Sequence, residues 1–178
     1  MLNQFGKPLI GMIVFFFLFT SVTNGDEAED RVESSDTLEF IPGIVVTYEM
    51  SNGDSITRIE QDLGGSLTED SLARFPDFPE QVRWDGFVFA RPEGEFRFYG
   101  FVQGTLELEI DGITVFEMKT DQPRWVASTP INLEYGHRRL RMIYDKVDGR
   151  SPLKIAWSGP GFLREPIPAT ALFLRAHA

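Results

Sequence analysis

The chain has 178 residues, no cysteine and a formal net charge of −10. Without thiols there are no disulfides, no thiolate catalysis, no c-type haem attachment, no cysteine zinc site and no lipid-modified signal cysteine. An acidic chain is also poorly matched to nucleic acid, whose phosphates are held by Lys and Arg.

Lys7 and the amino terminus give a positive start, Leu9 to Phe19 form an apolar run of 11, and Thr23 and Gly25 place small residues before a cut after Gly25. This is the tripartite pattern of a signal peptide at 1–25. The run is shorter than the roughly 20 apolar residues of a spanning helix, so no membrane span is expected after cleavage, an uncleaved anchor being the alternative. The expected location is secreted, periplasmic or cell-surface. From Asp26 to Glu39 seven acids stand against one Arg, with Val32 and Leu38 as the large apolar residues. Such a stretch cannot bury enough surface to offset its ordering entropy and reads as a disordered acidic tether, 26–39.

Residues 40–178 are expected to form one β domain. The 16 Phe, 16 Gly and 11 Pro of the chain suit strands punctuated by turns. Val82 to Arg91 places Trp84, Val88 and Ala90 on one face, and Phe96 and Phe98 alternate with Glu95 and Arg97. In Thr105 to Ile110, Leu106, Leu108 and Ile110 point one way and Thr105, Glu107 and Glu109 the other, which predicts a half-buried strand. Asp111-Gly112 then predicts a tight hairpin into Ile113 to Met118, because both turn positions need positive φ. Leu140, Met142 and Tyr144 alternate with arginines, and Leu153, Ile155 and Trp157 continue the pattern. Asp148-Gly149 between these two segments reads as a further hairpin. Leu63 to Ala73 carries a weak helical period. The proline-broken tail from Gly161 to Leu174 is expected at a sheet edge.

The order of these pieces resembles the protective-antigen-type β domain, the PA-fourteen domain. The matching segments run from Gly43-Ile44-Val45-Val46 through Val82-Arg83-Trp84-Asp85-Gly86-Phe87, Leu108-Glu109-Ile110-Asp111-Gly112 and Tyr135-Gly136-His137-Arg138. They continue through Leu153-Lys154-Ile155-Ala156-Trp157 to Leu172-Phe173. The resemblance implies an all-β, antiparallel β-sandwich or barrel whose usual task is non-catalytic glycan recognition. In sugar-binding members two adjacent aspartates before the Leu-x-Ile-Asp-Gly strand hold a calcium ion. Here Gln103 and Gly104 stand at those positions, so no cofactor is expected, and calcium is left only to a weak site that would include Asp111.

Other constellations carry less. Glu107 and Glu109 lie about 7 Å apart on a strand, a separation glycosidases use, but residues opposite an apolar face are usually solvated and keep ordinary acidity. His137 and His177 are isolated, and neither a G-x-S-x-G elbow nor a zinc spacing accompanies them. Asp145 and Asp148 lack the spacing of a calcium loop. Trp84 and Trp157 fit a core. Trp125 follows Asp121-Gln122-Pro123-Arg124 in a non-periodic stretch, where a sugar could stack on the ring and Asp121, Gln122 and Arg124 could supply hydrogen bonds.

The sequence therefore points to a non-catalytic exported binding module for carbohydrate or a cell-surface polymer, without an essential metal and acting through loops at one end of the scaffold. Its candidate ligand-binding residues are Gln103, Gly104, Asp111, Asp121, Gln122, Arg124 and Trp125. The alternative is a structural or protein-interaction domain, with another exported protein as partner, that keeps the fold without glycan binding.

Overall fold

The structure, a computed structural model, describes residues 39–64, 79–146 and 152–176. The signal peptide, all of the acidic tether but Glu39, the helical expectation beyond Gly64, Asp148-Gly149 and His177 lie outside the described residues.

Eleven strands follow in chain order: β1 (Phe40–Pro42), β2 (Ile44–Met50), β3 (Ser55–Glu60), β4 (Pro79–Ala90), β5 (Gly94–Ile110) and β6 (Ile113–Ala127). The chain continues through β7 (Ile131–Leu133), β8 (Gly136–Lys146), β9 (Leu153–Gly159), β10 (Phe162–Pro166) and β11 (Leu172–Arg175), with a 3-10 turn at Ala169–Ala171. Every pairing is antiparallel, and the connected sheet runs β1-β11-β4-β8-β5-β9-β10, with β2 and β3 branching from β4 and with β6 and β7 branching from β5. The expected all-β antiparallel sandwich is what forms. No helix among the described residues is long and apolar enough to cross a membrane.

The period of two does what pattern reading predicts. In β5 every even residue from Phe96 to Ile110 is buried, and Phe96, Phe98, Leu106 and Leu108 are fully enclosed. Trp84 and Trp157 both belong to the core they share with Tyr48, Leu140, Met142 and Tyr144. Burying each large side chain stabilises the fold by about 1.5–3 kcal/mol. The Asp111-Gly112 turn has φ of 51° and 78°, the two positive values the hairpin requires.

Three sequence expectations change. Phe96–Phe98 and Thr105–Ile110 are not separate strands but parts of one strand of 17 residues. Asp148-Gly149 does not join hairpin partners: β8 pairs with Gly104–Ile110 and β9 with Arg97–Val102, both antiparallel to β5. The two segments therefore run end to end along one strand in the same direction, which excludes a hairpin between them. In the tail, β11 sits between β1 and β4 rather than at an edge, because the three-residue β1 covers its outer side. It is β10, ending in Pro166, that lies at an edge, where a missing N–H is tolerated.

Long strands must change partners to enclose a core. In β4 the change falls at Gly86: Asp85 faces Val45 of β2, whereas Phe87 faces Phe173 of β11. A Cβ on Gly86 would lie 2.7 Å from the Phe173 carbonyl oxygen and 2.9 Å from Ile44 Cγ1. Gly86→Ala is expected to destabilise the domain by about 1–3 kcal/mol through this overpacking, measured by denaturant unfolding.

His137, the second residue of β8, fastens β1 to the sheet. Phe40 stacks on its imidazole with ring centres 3.8 Å apart and planes 2° apart, while Phe89 and Phe173 close in at 4.8 Å. Burial among these rings lowers the His137 pKa below its ordinary value. The folded state thus binds fewer protons at this site than the unfolded state. The stability contributed by neutral His137 is full above about pH 6.5, the unfolded value, and is lost as pH falls through the lower folded value. Unfolding followed from pH 7.5 to 4.5 should show this loss, and His137→Phe should flatten that part of the profile.

Candidate functional site

Strand β5 keeps its odd residues on the outer face, and most of these are polar: Glu95, Arg97, Gln103, Thr105, Glu107 and Glu109. Tyr99 and Phe101 break that rule as large aromatic residues, both half-buried. Cross-strand register sets Phe101 beside Trp125 of β6 on one side and Lys154 of β9 on the other. The Phe101 and Trp125 ring centres are 5.4 Å apart, within the range of a favourable aromatic pair. Trp125 remains 43% exposed. An outward aromatic row therefore lies on the face of the sheet.

Arg164 of β10 completes the row. Its guanidinium carbon lies 3.6 Å from the Trp125 ring centre and 5.2 Å from that of Tyr99, a cation–π arrangement that holds the side chain in place. Tyr99 in turn is hydrogen-bonded through its hydroxyl to Ser158 Oγ at 3.3 Å. Trp125 and Arg164 line a cleft of about 550 Å³, with Asp62, Leu63, Lys154 and Glu165 among its other walls. The volume is in the range of small-ligand sites.

Of the seven residues anticipated from sequence, Trp125 alone lines this cleft. The stretch Asp121 to Trp125 is not a loop but part of β6. Val102 faces Arg124 and Gly104 faces Thr120, so Asp121, Gln122 and Pro123 bulge outward opposite the single residue Gln103. The Thr120 hydroxyl donates to the Val102 carbonyl at 2.9 Å across this irregularity. Arg124 and Trp125 are neighbours on a strand and leave it on opposite faces, which separates Arg124 from the ring it was expected to assist.

Gln103 and Gly104 sit where β5 passes from β9 to β8. The Gln103 carbonyl accepts a hydrogen bond from the Tyr144 hydroxyl at 2.6 Å, and its side-chain amide donates to the Asp121 backbone carbonyl at 3.3 Å. Gly104 has φ of 126°, and a Cβ there would lie 2.3 Å from the Asp145 carbonyl oxygen. The position admits no aspartate in this backbone. Gln103 itself offers a neutral amide and a carbonyl already bonded to Tyr144, a poor match to a calcium ion's demand for several free, hard oxygens. Among the described residues no three His, Asp or Glu side chains come together as a metal-binding group.

Asp111 is remote from Gln103, eight residues along β5 or about 26 Å at the strand rise. Its carboxylate accepts from the Arg139 backbone N–H at 2.7 Å and lies 3.5 Å from Arg138 Nη1, while its own N–H donates to the Arg139 carbonyl at 2.8 Å. Arg138 also reaches Glu134 at 3.5 Å and the Tyr135 carbonyl at 3.0 Å. With Gly112, Glu109, Arg139 and Arg141, Asp111 edges a separate cleft of about 330 Å³. Its carboxylate ties the hairpin tip to β8. Glu109 is paired with Arg141 at 3.8 Å, and Glu107 faces Glu117 across the ladder, so the two carboxylates take separate surroundings.

The residues missed from sequence are Tyr99, Phe101, Lys154 and Arg164. The first two had a signal, aromatic residues at the parity of a polar face. Arg164 had none, because its contact with Trp125 spans 39 positions of sequence and depends on a bulge in β10.

Asp111→Ala should cost about 1–2 kcal/mol, since it removes a charge-assisted hydrogen bond and places a less suitable residue at positive φ. Asp111→Asn keeps an acceptor and the turn and should cost less than half as much, with chemical denaturation giving both values.

No family model matches the chain, and no curated protein matches it. Solved structures do. An anti-sigma factor domain-containing protein superposes with a TM-score of 0.65 at 19% identity, covering 80% of this chain and 51% of the other, so this chain spans about half that protein's length. The PA14 sugar-binding domain from an RTX adhesin gives 0.59 at 16% identity, covering 75% of this chain and 99% of that domain. The Epithelial Adhesin 9 A domain from Candida glabrata, in complex with Galb1-3GlcNAc, gives 0.60 at 8% identity over 76% and 90%. At these identities the likeness is one of architecture, and the domain described here has the PA14 fold.

Proposed function

We propose that this chain is an exported, non-catalytic binding module for carbohydrate or cell-surface polymer, and that the ligand meets the outer-face cleft at Trp125. The observation that carries this reading is Trp125, 43% exposed on the outer face of the sheet, packed beside Phe101 and lining a cleft of about 550 Å³. A pyranose has one face of C–H bonds that stacks on such rings, while its hydroxyls take hydrogen bonds from flanking polar groups. Lys154, Arg164, Glu165 and Asp62 supply those groups. Because the rings stand on paired strands, little ordering entropy is lost on binding.

Among the structural neighbours, the RTX adhesin domain is a sugar-binding domain and the Candida adhesin carries a bound disaccharide. They support a saccharide ligand by analogy of fold, and a shared fold does not by itself select a ligand. The adhesin likeness and the tripartite leader together support export. The mechanism is stacking with hydrogen bonding and needs no metal, in keeping with the poor calcium fit at Gln103-Gly104.

A second reading is a protein-interaction domain without glycan chemistry. The likeness to anti-sigma factor domain-containing proteins favours it.

A glycan array probed with the whole chain, with calcium and again with a chelator, separates the two. The expected result is saccharide binding that survives the chelator and falls by about tenfold or more in Trp125→Ala. An array blank for folded protein would remove the carbohydrate reading and leave the interaction domain.

A further inference from the structure

Arg164 owes its position to an irregularity. Phe162 of β10 faces Gly159 and Glu165 faces Trp157, which leaves Leu163 and Arg164 together opposite Ser158. A bulge of this kind re-aims a side chain. Here it sends the guanidinium across Tyr99 and over the Trp125 ring at 3.6 Å.

No carboxylate among the described residues lies within ion-pair distance of Arg164, although Glu165 is its chain neighbour and Asp62 lines the same cleft. By contrast Arg83, Arg138 and Arg141 each hold an acid. A guanidinium over a ring face still has in-plane N–H groups to donate at its edge. That edge is a rigid fork suited to grip a carboxylate through two hydrogen bonds. Lys154, exposed in the same cleft and also without an ion pair, adds a second positive group.

We propose that the Trp125 cleft recognises an acidic saccharide, a uronic-acid unit whose apolar ring face packs against the part of Trp125 that Arg164 leaves exposed and whose carboxylate is held by Arg164. The inference rests on the carbohydrate reading of the same cleft and names its ligand class. A uronic acid carries both features on one ring, an apolar face and a carboxylate. An acidic peptide such as polyglutamate carries the carboxylate without an apolar ring face to set against Trp125.

The test is calorimetric titration of the whole chain with tetramers of galacturonate, mannuronate and guluronate, each beside its methyl ester, and with hexaglutamate as the peptide probe. Trp125→Ala, Arg164→Gln and Arg164→Lys are titrated in parallel, with thermal unfolding as the check on folding. At least one acid form should bind about tenfold or more tighter than its ester, the charge-assisted contribution. Arg164→Gln should bring the acid form down to the affinity of its ester, and Arg164→Lys should restore only part of the difference. Equal binding of acid and ester, lost in Trp125→Ala, would overturn the acidic specificity and keep the carbohydrate reading. Binding of hexaglutamate alone, or of no probe, would overturn the uronate inference and leave the carbohydrate reading to the glycan array.

Discussion

The backbone of β5 is the constraint on which the rest of the structure depends. From Tyr99 to Ile110 nearly all of this strand is paired on both sides, with β6 along one edge and with β9 and then β8 along the other. Two partners laid end to end must leave a junction, and it falls at Gln103-Gly104. There the Tyr144 hydroxyl takes the Gln103 carbonyl, Thr120 takes the Val102 carbonyl, and Gly104 lets the Asp145 carbonyl approach where a Cβ would stand. The polar groups freed by the change of partner are satisfied locally, as buried backbone requires. The Gln103-Gly104 position is thus taken up by the change of strand partner.

That arrangement moves the candidate site from the loops to the face of the sheet. With the junction closed and Asp111 engaged by Arg138 and Arg139, the ring left in the larger cleft is Trp125, on the outer side of β6. A site on strands is held more rigidly than one on loops, since its side chains move only by rotamer changes on a fixed backbone. Arg164 is held more firmly than a free surface arginine, because the Trp125 and Tyr99 rings limit its rotamers. The exposed ion pairs elsewhere, such as Arg83 with Glu49 at 3.3 Å, contribute little by comparison.

A second use of aromatic residues appears at the start of the domain. Among the described residues the three-residue β1 has a ladder only with β11, too short to hold by backbone pairing alone. Phe40 compensates by stacking on His137 and meeting Phe87 edge-on at 5.0 Å. The attachment of the first strand is therefore a side-chain matter, and its one titratable member makes it sensitive to acid.

The sequence by itself determined the strands that have one buried and one solvated face. Leu106, Leu108 and Ile110 could be assigned to the core because a period of two in the residues is a period of two in space, and Asp111-Gly112 could be assigned to its turn because few other pairs accept two positive φ values. It did not show β3, whose six residues are exposed or half-buried and so carry no alternation. The hairpin assigned to Asp148-Gly149 failed because Asp-Gly chemistry describes a bend and not which strands its flanks will pair with. Only the tertiary structure decided that β8 and β9 share β5, that a three-residue bulge parts Asp121 and Gln122 from Trp125, and that Arg164 arrives over the Trp125 ring. Those are contacts between distant segments, governed by which edge meets which edge when the sheet closes on its core, and no local pattern of residues encodes them.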